Sequence, residues 1–136
     1  MSMSRIHRSS GAAGERLGPY EIESLIHPDE ERAGTVYRVT IEPNQTTAVS
    51  YHKVAEEYYF VISGSGVAIL DGQPQPLKTG DFLRLPPGCT HAFITYAEPL
   101  VMLDVHTPGC RPDRDVYFVG SSPDGFGDPT HRGELP

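Results

Sequence analysis

The chain has 136 residues, and its 11 Lys and Arg against 18 Asp and Glu give a net charge of −7. This balance disfavours nucleic acid and anionic membranes as partners, and no run is long or apolar enough for a membrane span. The two cysteines, Cys89 and Cys110, do not suggest a disulfide framework. With no apolar signal core at the N-terminus, we expect a cytoplasmic protein.

The predicted elements are all strands. Fourteen glycines and thirteen prolines favour many turns over helices. The run from Tyr58 ends at Ser63-Gly64, which predicts a turn, and Asp71-Gly72 is typical of a type I′ hairpin. Short strands joined by such turns predict a sandwich or a closed barrel. In chain order the strands are Tyr20–Ile26, Thr35–Ile41, Ala48–Tyr51, Tyr58–Ile62, Val67–Leu70, Gln73–Leu77, Phe82–Leu85, Ala92–Tyr96, Leu100–His106 and Val116–Val119.

The middle of the chain carries two sets of spaced residues. The first set is Asn44, Ser50, His52, Glu57 and Gly64, and the second is Gly80, Pro86, Gly88, His91 and Thr95. Their order and spacing resemble the two motifs of the cupin family, with Asn44 for a glycine, Ser50 for the first histidine and Thr95 for an asparagine. Asn44 is a mild change because asparagine also tolerates the left-handed conformation.

The resemblance implies a small single-domain cupin, an all-β double-stranded β-helix or jelly-roll barrel. We expect the barrel over residues 19–120, between a flexible arm at 1–18 and a flexible tail at 121–136. Cupins of this size usually pair, so the resemblance also implies a homodimer.

A divalent metal site is the main chemical prediction. Two imidazoles and a carboxylate from two hairpins can meet inside a barrel, and His52, Glu57 and His91 resemble three retained cupin ligands. Such a set suits iron, manganese, nickel or zinc. The alternative is a chain that kept the fold and lost the metal, with Ser50 marking the loss. Ser50 itself is expected to be a hydrogen-bonding residue of the substrate pocket, because a neutral hydroxyl binds metal weakly.

Two aromatic residues share a strand face with these ligands. Tyr59 has the parity of Glu57 and should face the interior, where its hydroxyl could meet a substrate; core packing is the alternative. Phe93 has the parity of His91 and is predicted to be pocket wall.

The run Leu103-Asp104-Val105-His106-Thr107-Pro108, followed by Arg111, resembles an ending found in small sugar-acid-processing cupins. There the aspartate serves in proton transfer, which implies a catalytic Asp104 and a substrate-contacting Arg111. Alternation places Asp104 and His106 on one strand face. If that face is inward, either residue can move a proton. If it is outward, both are solvated or at a dimer contact.

Three functions follow from these residues. The first is a metal-dependent enzyme acting on a small polar molecule by proton transfer, as an isomerase, tautomerase or lyase does. The second is a ferrous iron-dependent dioxygenase using the same ligands. The third is a metal-free cupin that binds a small ligand or shapes a natural-product cyclisation, which the changes at Ser50 and Thr95 favour.

Overall fold

A computed structural model describes residues 6–9, 14–31, 33–111 and 114–120. The predicted tail at 121–136 lies outside these residues. The described part contains ten strands and a short 3-10 helix at Pro28–Glu30, and no helix in it is long and apolar enough to cross a membrane. The strands are β1 (Glu15–Leu17), β2 (Tyr20–Ser24), β3 (Thr35–Ile41), β4 (Ser50–Tyr51), β5 (Glu56–Leu70), β6 (Gln73–Lys78), β7 (Phe82–Leu85), β8 (His91–Ile94), β9 (Leu100–Thr107) and β10 (Tyr117–Phe118).

The strands form two antiparallel sheets that share β5. Its first half pairs with β9 and β7, giving the order β1-β2-β3-β9-β5-β7. Its second half pairs with β6 and β8, giving the order β6-β5-β8-β4-β10. This curled all-β arrangement confirms the predicted jelly-roll fold.

The strand β5 differs from the prediction. The sequence predicted two strands separated by a turn at Ser63-Gly64, whereas β5 runs through these residues as one 15-residue strand. A register shift between Val61 and Ser63 marks a β-bulge, and Gly64 has a φ of 85°. A Cβ atom on Gly64 would lie 1.8 Å from the carbonyl oxygen of Pro99. Glycine is therefore needed for a bend between the sheets, not for a chain reversal.

Two turn predictions are confirmed by the backbone. Asp71 and Gly72 both have positive φ, 49° and 79°, and they connect β5 to β6 as a two-residue hairpin. Asn44 has a φ of 58°, the left-handed conformation expected where the family motif has glycine. One strand was not predicted: β1 pairs with β2 and lies inside the segment 1–18 assigned to the arm.

The inward face of β9 changes from apolar to polar along its length. Leu100 and Met102 belong to the hydrophobic core, while Asp104 and His106 on the same face are also buried. Strand register then sets the neighbours of the two polar residues. His106 lies between Thr35 of β3 and Glu57 of β5, and Asp104 lies between Tyr37 and Tyr59. Two cross-strand rows therefore bring separate parts of the chain to one end of the interior.

Candidate functional site

Glu57 is the centre of a buried cluster of three histidines. Its Oε1 atom lies 3.1 Å from Nε2 of His52 and 3.1 Å from Nε2 of His91. Its Oε2 atom lies 2.6 Å from Nε2 of His106. All four side chains are buried. The structure thus brings together the three predicted metal ligands and adds a third imidazole.

The hydrogen bonds of His52 and His91 define where their lone pairs point. Nδ1 of His52 lies 2.7 Å from the carbonyl oxygen of Asp115, and Nδ1 of His91 lies 3.2 Å from that of Cys89. A carbonyl oxygen only accepts, so both Nδ1 atoms donate and both neutral rings present an Nε2 lone pair to Glu57. Two lone pairs and a carboxylate oxygen repel one another unless a proton or a cation lies among them. This donor set fits a divalent cation.

His106 has the opposite tautomer. The hydroxyl of Thr35 accepts a hydrogen bond from the backbone N–H of Cys110 and lies 3.2 Å from Nδ1 of His106. We assign the proton of the neutral His106 ring to Nε2, because Oε2 of Glu57 lies 2.6 Å away and only accepts, and the hydroxyl of Thr35 can donate to Nδ1. His106 donates to the carboxylate that the other two histidines face with lone pairs.

Asp115 holds the loop between the first two ligands. Its carboxylate accepts hydrogen bonds from the backbone N–H groups of Lys53, Val54 and Ala55 at 2.9–3.3 Å. Its own backbone, in the left-handed conformation with a φ of 59°, supplies the carbonyl that accepts from His52. One residue thus positions both the ring of His52 and the chain that leads to Glu57.

The charges in the cluster shift its ionisation equilibria. Burial alone would raise the pKa of Glu57, but the histidines His106, His91 and His52 hold it well below its usual value. Burial alone would lower the pKa of His52, but Glu57 and the nearby Cys110 raise it well above its usual value. The buried carboxylate is therefore ionised, and a proton on His52 is stabilised when no cation takes its place.

Asp104 is a second carboxyl group with a different environment. It is 6% exposed, and its Oδ1 atom has no hydrogen-bond partner among the described residues. Burial raises the pKa of Asp104 well above its ordinary value, and the charge of Glu57 raises it further. Burial, Asp104 and Glu57 likewise raise the pKa of the Tyr59 hydroxyl. Glu57 therefore binds a proton less tightly than an ordinary carboxyl group, and Asp104 binds one more tightly.

A cavity of about 270 Å³ opens onto the cluster. Of the residues proposed from the sequence, eight line it: Ser50, His52, Glu57, Tyr59, His91, Asp104, His106 and Arg111. Phe93 does not. Its side chain is fully buried in the hydrophobic core, where its ring packs against Tyr59 with centroids 5.1 Å apart. The prediction that Phe93 forms pocket wall is therefore corrected to a role in the core.

Several neighbours of the site were not proposed from the sequence. Thr35 and Asp115 act through a hydroxyl and a backbone carbonyl, for which residue spacing gives no signal. Cys110 is buried with Sγ 3.5 Å from Nδ1 of His52, and both cysteines are free thiols. Tyr20 and Tyr37 also line the cavity, and the parity of Tyr37 with Thr35 and Val39 could have placed it there.

The family model for the cupin domain, Cupin_2, matches residues 37–106, which is half of the chain. It includes all four residues of the Glu57 cluster, His52, Glu57, His91 and His106. The chain belongs to the cupin family. Metal binding is common in this fold. The described residues contain three groups of His, Cys, Asp or Glu side chains whose ligand atoms lie within 4.8 Å of one another; His52, Glu57 and His91 form one group, and His106 belongs to the other two.

Similar proteins include enzymes of different activity. Protein SchB of Streptomyces halstedii is 27% identical over 101 residues, 73% of each chain. The polyketide cyclase RemF of Streptomyces resistomycificus superposes with a TM-score of 0.72 over 92% of this cupin and 91% of RemF, at 23% identity. The nucleoside dehydratase Pac13 of Streptomyces superposes with a TM-score of 0.67 over 85% of this cupin and 92% of Pac13, at 20% identity. These superpositions show a shared fold.

Proposed function

We propose that this cupin is an enzyme that moves a proton on a small molecule bound in the cavity, with Asp104 as the acid and base. The observation that carries the proposal is the environment of Asp104: this residue lines the cavity, and its buried Oδ1 atom has no hydrogen-bond partner among the described residues, with Nε2 of His106 3.8 Å away. A buried carboxyl oxygen without a hydrogen bond is costly, so a substrate group that donates to Oδ1 is favoured.

The residues around the carboxyl group support this role. The pKa of Asp104 is raised well above its ordinary value, which makes its carboxylate a stronger base than an exposed one and lets the same group return the proton. His106 donates its Nε2 proton to Glu57 at 2.6 Å and is thereby held in place. Tyr59, with a raised pKa, stays protonated and can donate a hydrogen bond to a substrate oxygen. The expected reaction is an isomerisation, a tautomerisation or an elimination.

His52, Glu57 and His91 would hold a divalent cation in this enzyme. Iron, manganese, nickel and zinc all accept two imidazoles and a carboxylate. When bound, the cation supplies Lewis acidity at a carbonyl or enol oxygen, which acidifies the neighbouring C–H group. Asp104 lies beside this set, its carboxyl group within 4.8 Å of Glu57 and His106.

The test is proton exchange on a probe of known chemistry. We expect the wild-type protein to exchange the C–H protons of a small enolisable carbonyl compound, such as a 1,3-diketone, with D2O faster than protein-free buffer does; NMR follows the exchange, and the spontaneous rate is subtracted. Asp104→Asn should slow this exchange by about 100-fold or more, the usual contribution of an acid–base group. Glu56→Gln is the matched control, because Glu56 lies on the outer face and pairs with Arg84 at 2.7 Å. Unchanged exchange in Asp104→Asn would refute the role.

A metal-free dehydration or ring closure is the second candidate function. It is supported by the 3.1 Å contact of His52 with Glu57 and by the raised pKa of His52, because a protonated imidazole can act as an acid without a cation. RemF and Pac13 carry out cyclisation and nucleoside dehydration on the same fold. Chelator-treated protein separates the two candidates. Exchange lost on chelation and restored by one metal equivalent selects the metal-dependent enzyme, and undiminished exchange selects the metal-free one.

A further inference from the structure

The lining of the cavity divides into two parts of opposite character. The polar cluster consists of His52, Glu57, His91, Asp104 and His106. The apolar wall consists of side chains from β1, β2, β3 and the C-terminal part of the described chain: Leu17, Ile22, Val39, Val116 and Phe118. A bound molecule must contact both parts, because both line the same 270 Å³ space.

Several of the polar side chains near the apolar wall already have protein partners. The hydroxyl of Tyr37 donates to the carbonyl of Cys110 at 2.8 Å, and that of Ser24 donates to the carbonyl of Ile26 at 2.7 Å. The guanidinium of Arg111 forms an ion pair with Glu31. These groups offer little to a ligand unless it displaces an internal partner, which costs free energy.

We propose that the substrate has an oxygen-bearing, enolisable end and an apolar, ring-sized body. The proposal rests on the proposed function for the oxygen-bearing end and adds the nature of the body. The polar cluster receives the oxygen atoms, and the apolar wall receives the body. A polyhydroxylated molecule such as a sugar acid would leave its hydroxyl groups against Leu17, Ile22 and Val39 with no partners. The cavity volume of about 270 Å³ lies just below about 300 Å³, the lower end of the range for pockets that bind drug-sized ligands. A cavity of this volume suits a body of one or two rings.

The test compares two probes that share one head group with a third probe that is a sugar acid. Acetylacetone and benzoylacetone carry the same 1,3-diketone and differ by a phenyl ring, and glucuronate represents a sugar acid. In isothermal titration calorimetry we expect benzoylacetone to bind at least about tenfold more tightly than acetylacetone, because the ring is buried against the apolar wall. Equal affinities for the two diketones, tighter binding of glucuronate, or no binding of benzoylacetone up to its solubility limit would overturn the proposal.

A pair of isoleucine variants assigns the effect to the wall. Ile22→Thr keeps a β-branched side chain in β2 but adds a hydroxyl, and it should cut the preference for benzoylacetone over acetylacetone about threefold or more. Ile62→Thr is the control, since Ile62 is 41% exposed on the outside of β5. An equal loss in both variants would contradict the assignment.

Failure of this proposal and failure of the proposed function give different results. If the phenyl preference is absent and Asp104→Asn still abolishes exchange, the proton-transfer function stands without the ring-sized body. If the phenyl preference is present and Asp104→Asn exchanges as fast as the wild type, the body stands and the role of Asp104 fails.

Discussion

The two sides of the Glu57 cluster use the same residue type in opposite ways. On the side of β4 and β8, backbone carbonyls accept from Nδ1 of His52 and His91, so their Nε2 atoms offer lone pairs to the carboxylate. On the side of β9, the hydroxyl of Thr35 faces Nδ1 of His106, so Nε2 offers a proton. The first side suits a cation and the second suits hydrogen bonding. The partner on the far side of each ring decides which chemistry the ring can do.

The largest effect on zinc binding should come from replacing a histidine by glutamine, made once on each side of the Glu57 cluster. His91→Gln replaces a lone pair with an amide and should weaken zinc binding by more than about 100-fold, because loss of an outer partner alone costs about 10–100-fold. His106→Gln keeps an N–H group towards Glu57 and should weaken zinc binding by about tenfold or less. Competition titration with a zinc indicator measures both. Equal losses would remove the distinction between the two sides.

The next largest effect should come from removing the carboxylate of Asp115, which holds the loop between His52 and Glu57. Asp115→Ala deletes the carboxylate that accepts from Lys53, Val54 and Ala55, and zinc affinity should fall by about 10–100-fold as His52 and Glu57 lose their fixed positions. Asp81→Ala is the control, because Asp81 accepts from Lys78 at 2.9 Å in a turn that contributes no ligand. A zinc affinity equal to that of the control would show that the carboxylate of Asp115 is not needed to position His52 and Glu57.

Asp104 on the β9 side should reduce stability at neutral pH. Its folded-state pKa lies well above the ordinary value of 3.8, so folding keeps a proton that the unfolded chain releases. The cost is absent below the unfolded pKa and grows as pH rises towards the folded pKa. In chelator, Asp104→Asn should therefore stabilise the protein at pH 7 by about 1 kcal/mol, roughly 4 °C in Tm, and not at pH 3.

Asp29→Asn provides the comparison for this experiment, since the side chain of Asp29 is 90% exposed and its loss should leave Tm almost unchanged at both pH values. Destabilisation by Asp104→Asn at pH 7 would contradict the proposed proton on Asp104.

The smallest effect is expected from the hydroxyl behind His106. Thr35→Val keeps the shape of the side chain but removes the group next to Nδ1 of His106, and exchange on the diketone probe should slow about threefold, the value of one hydrogen bond. Thr35→Ser keeps a hydroxyl and should retain the wild-type rate. A serine variant as slow as the valine variant would assign the effect to packing.

Local patterns predicted the fold and much of the site. The bounds of β3 and β7 match the structure, because each is an alternating run between turn residues. The inward positions of Asp104 and His106 followed from alternation once one face was chosen. The continuity of β5 did not follow, because Gly64 reads as a turn unless its close approach to Pro99 is known.

The contacts that define the chemistry depend on pairing between distant strands. Glu57 meets His106 because β5 and β9 pair in a register that aligns residues 49 positions apart, which no local pattern encodes. Asp115 lies beyond both family motifs and acts partly through its backbone carbonyl. Residue types can predict candidate ligands. The tautomer of each histidine can be assigned only when the hydrogen-bond partner of its Nδ1 atom is known.

The most direct measurement is the proton position on each histidine ring of the zinc-loaded protein, from long-range ¹H–¹⁵N NMR correlations. We predict that His52 and His91 carry the proton on Nδ1 and bind zinc through Nε2. His106 should carry the proton on Nε2. A proton on Nδ1 of His106, or zinc on Nδ1 of His52 or His91, would contradict the division of the cluster into a cation-binding side and a hydrogen-bonding side.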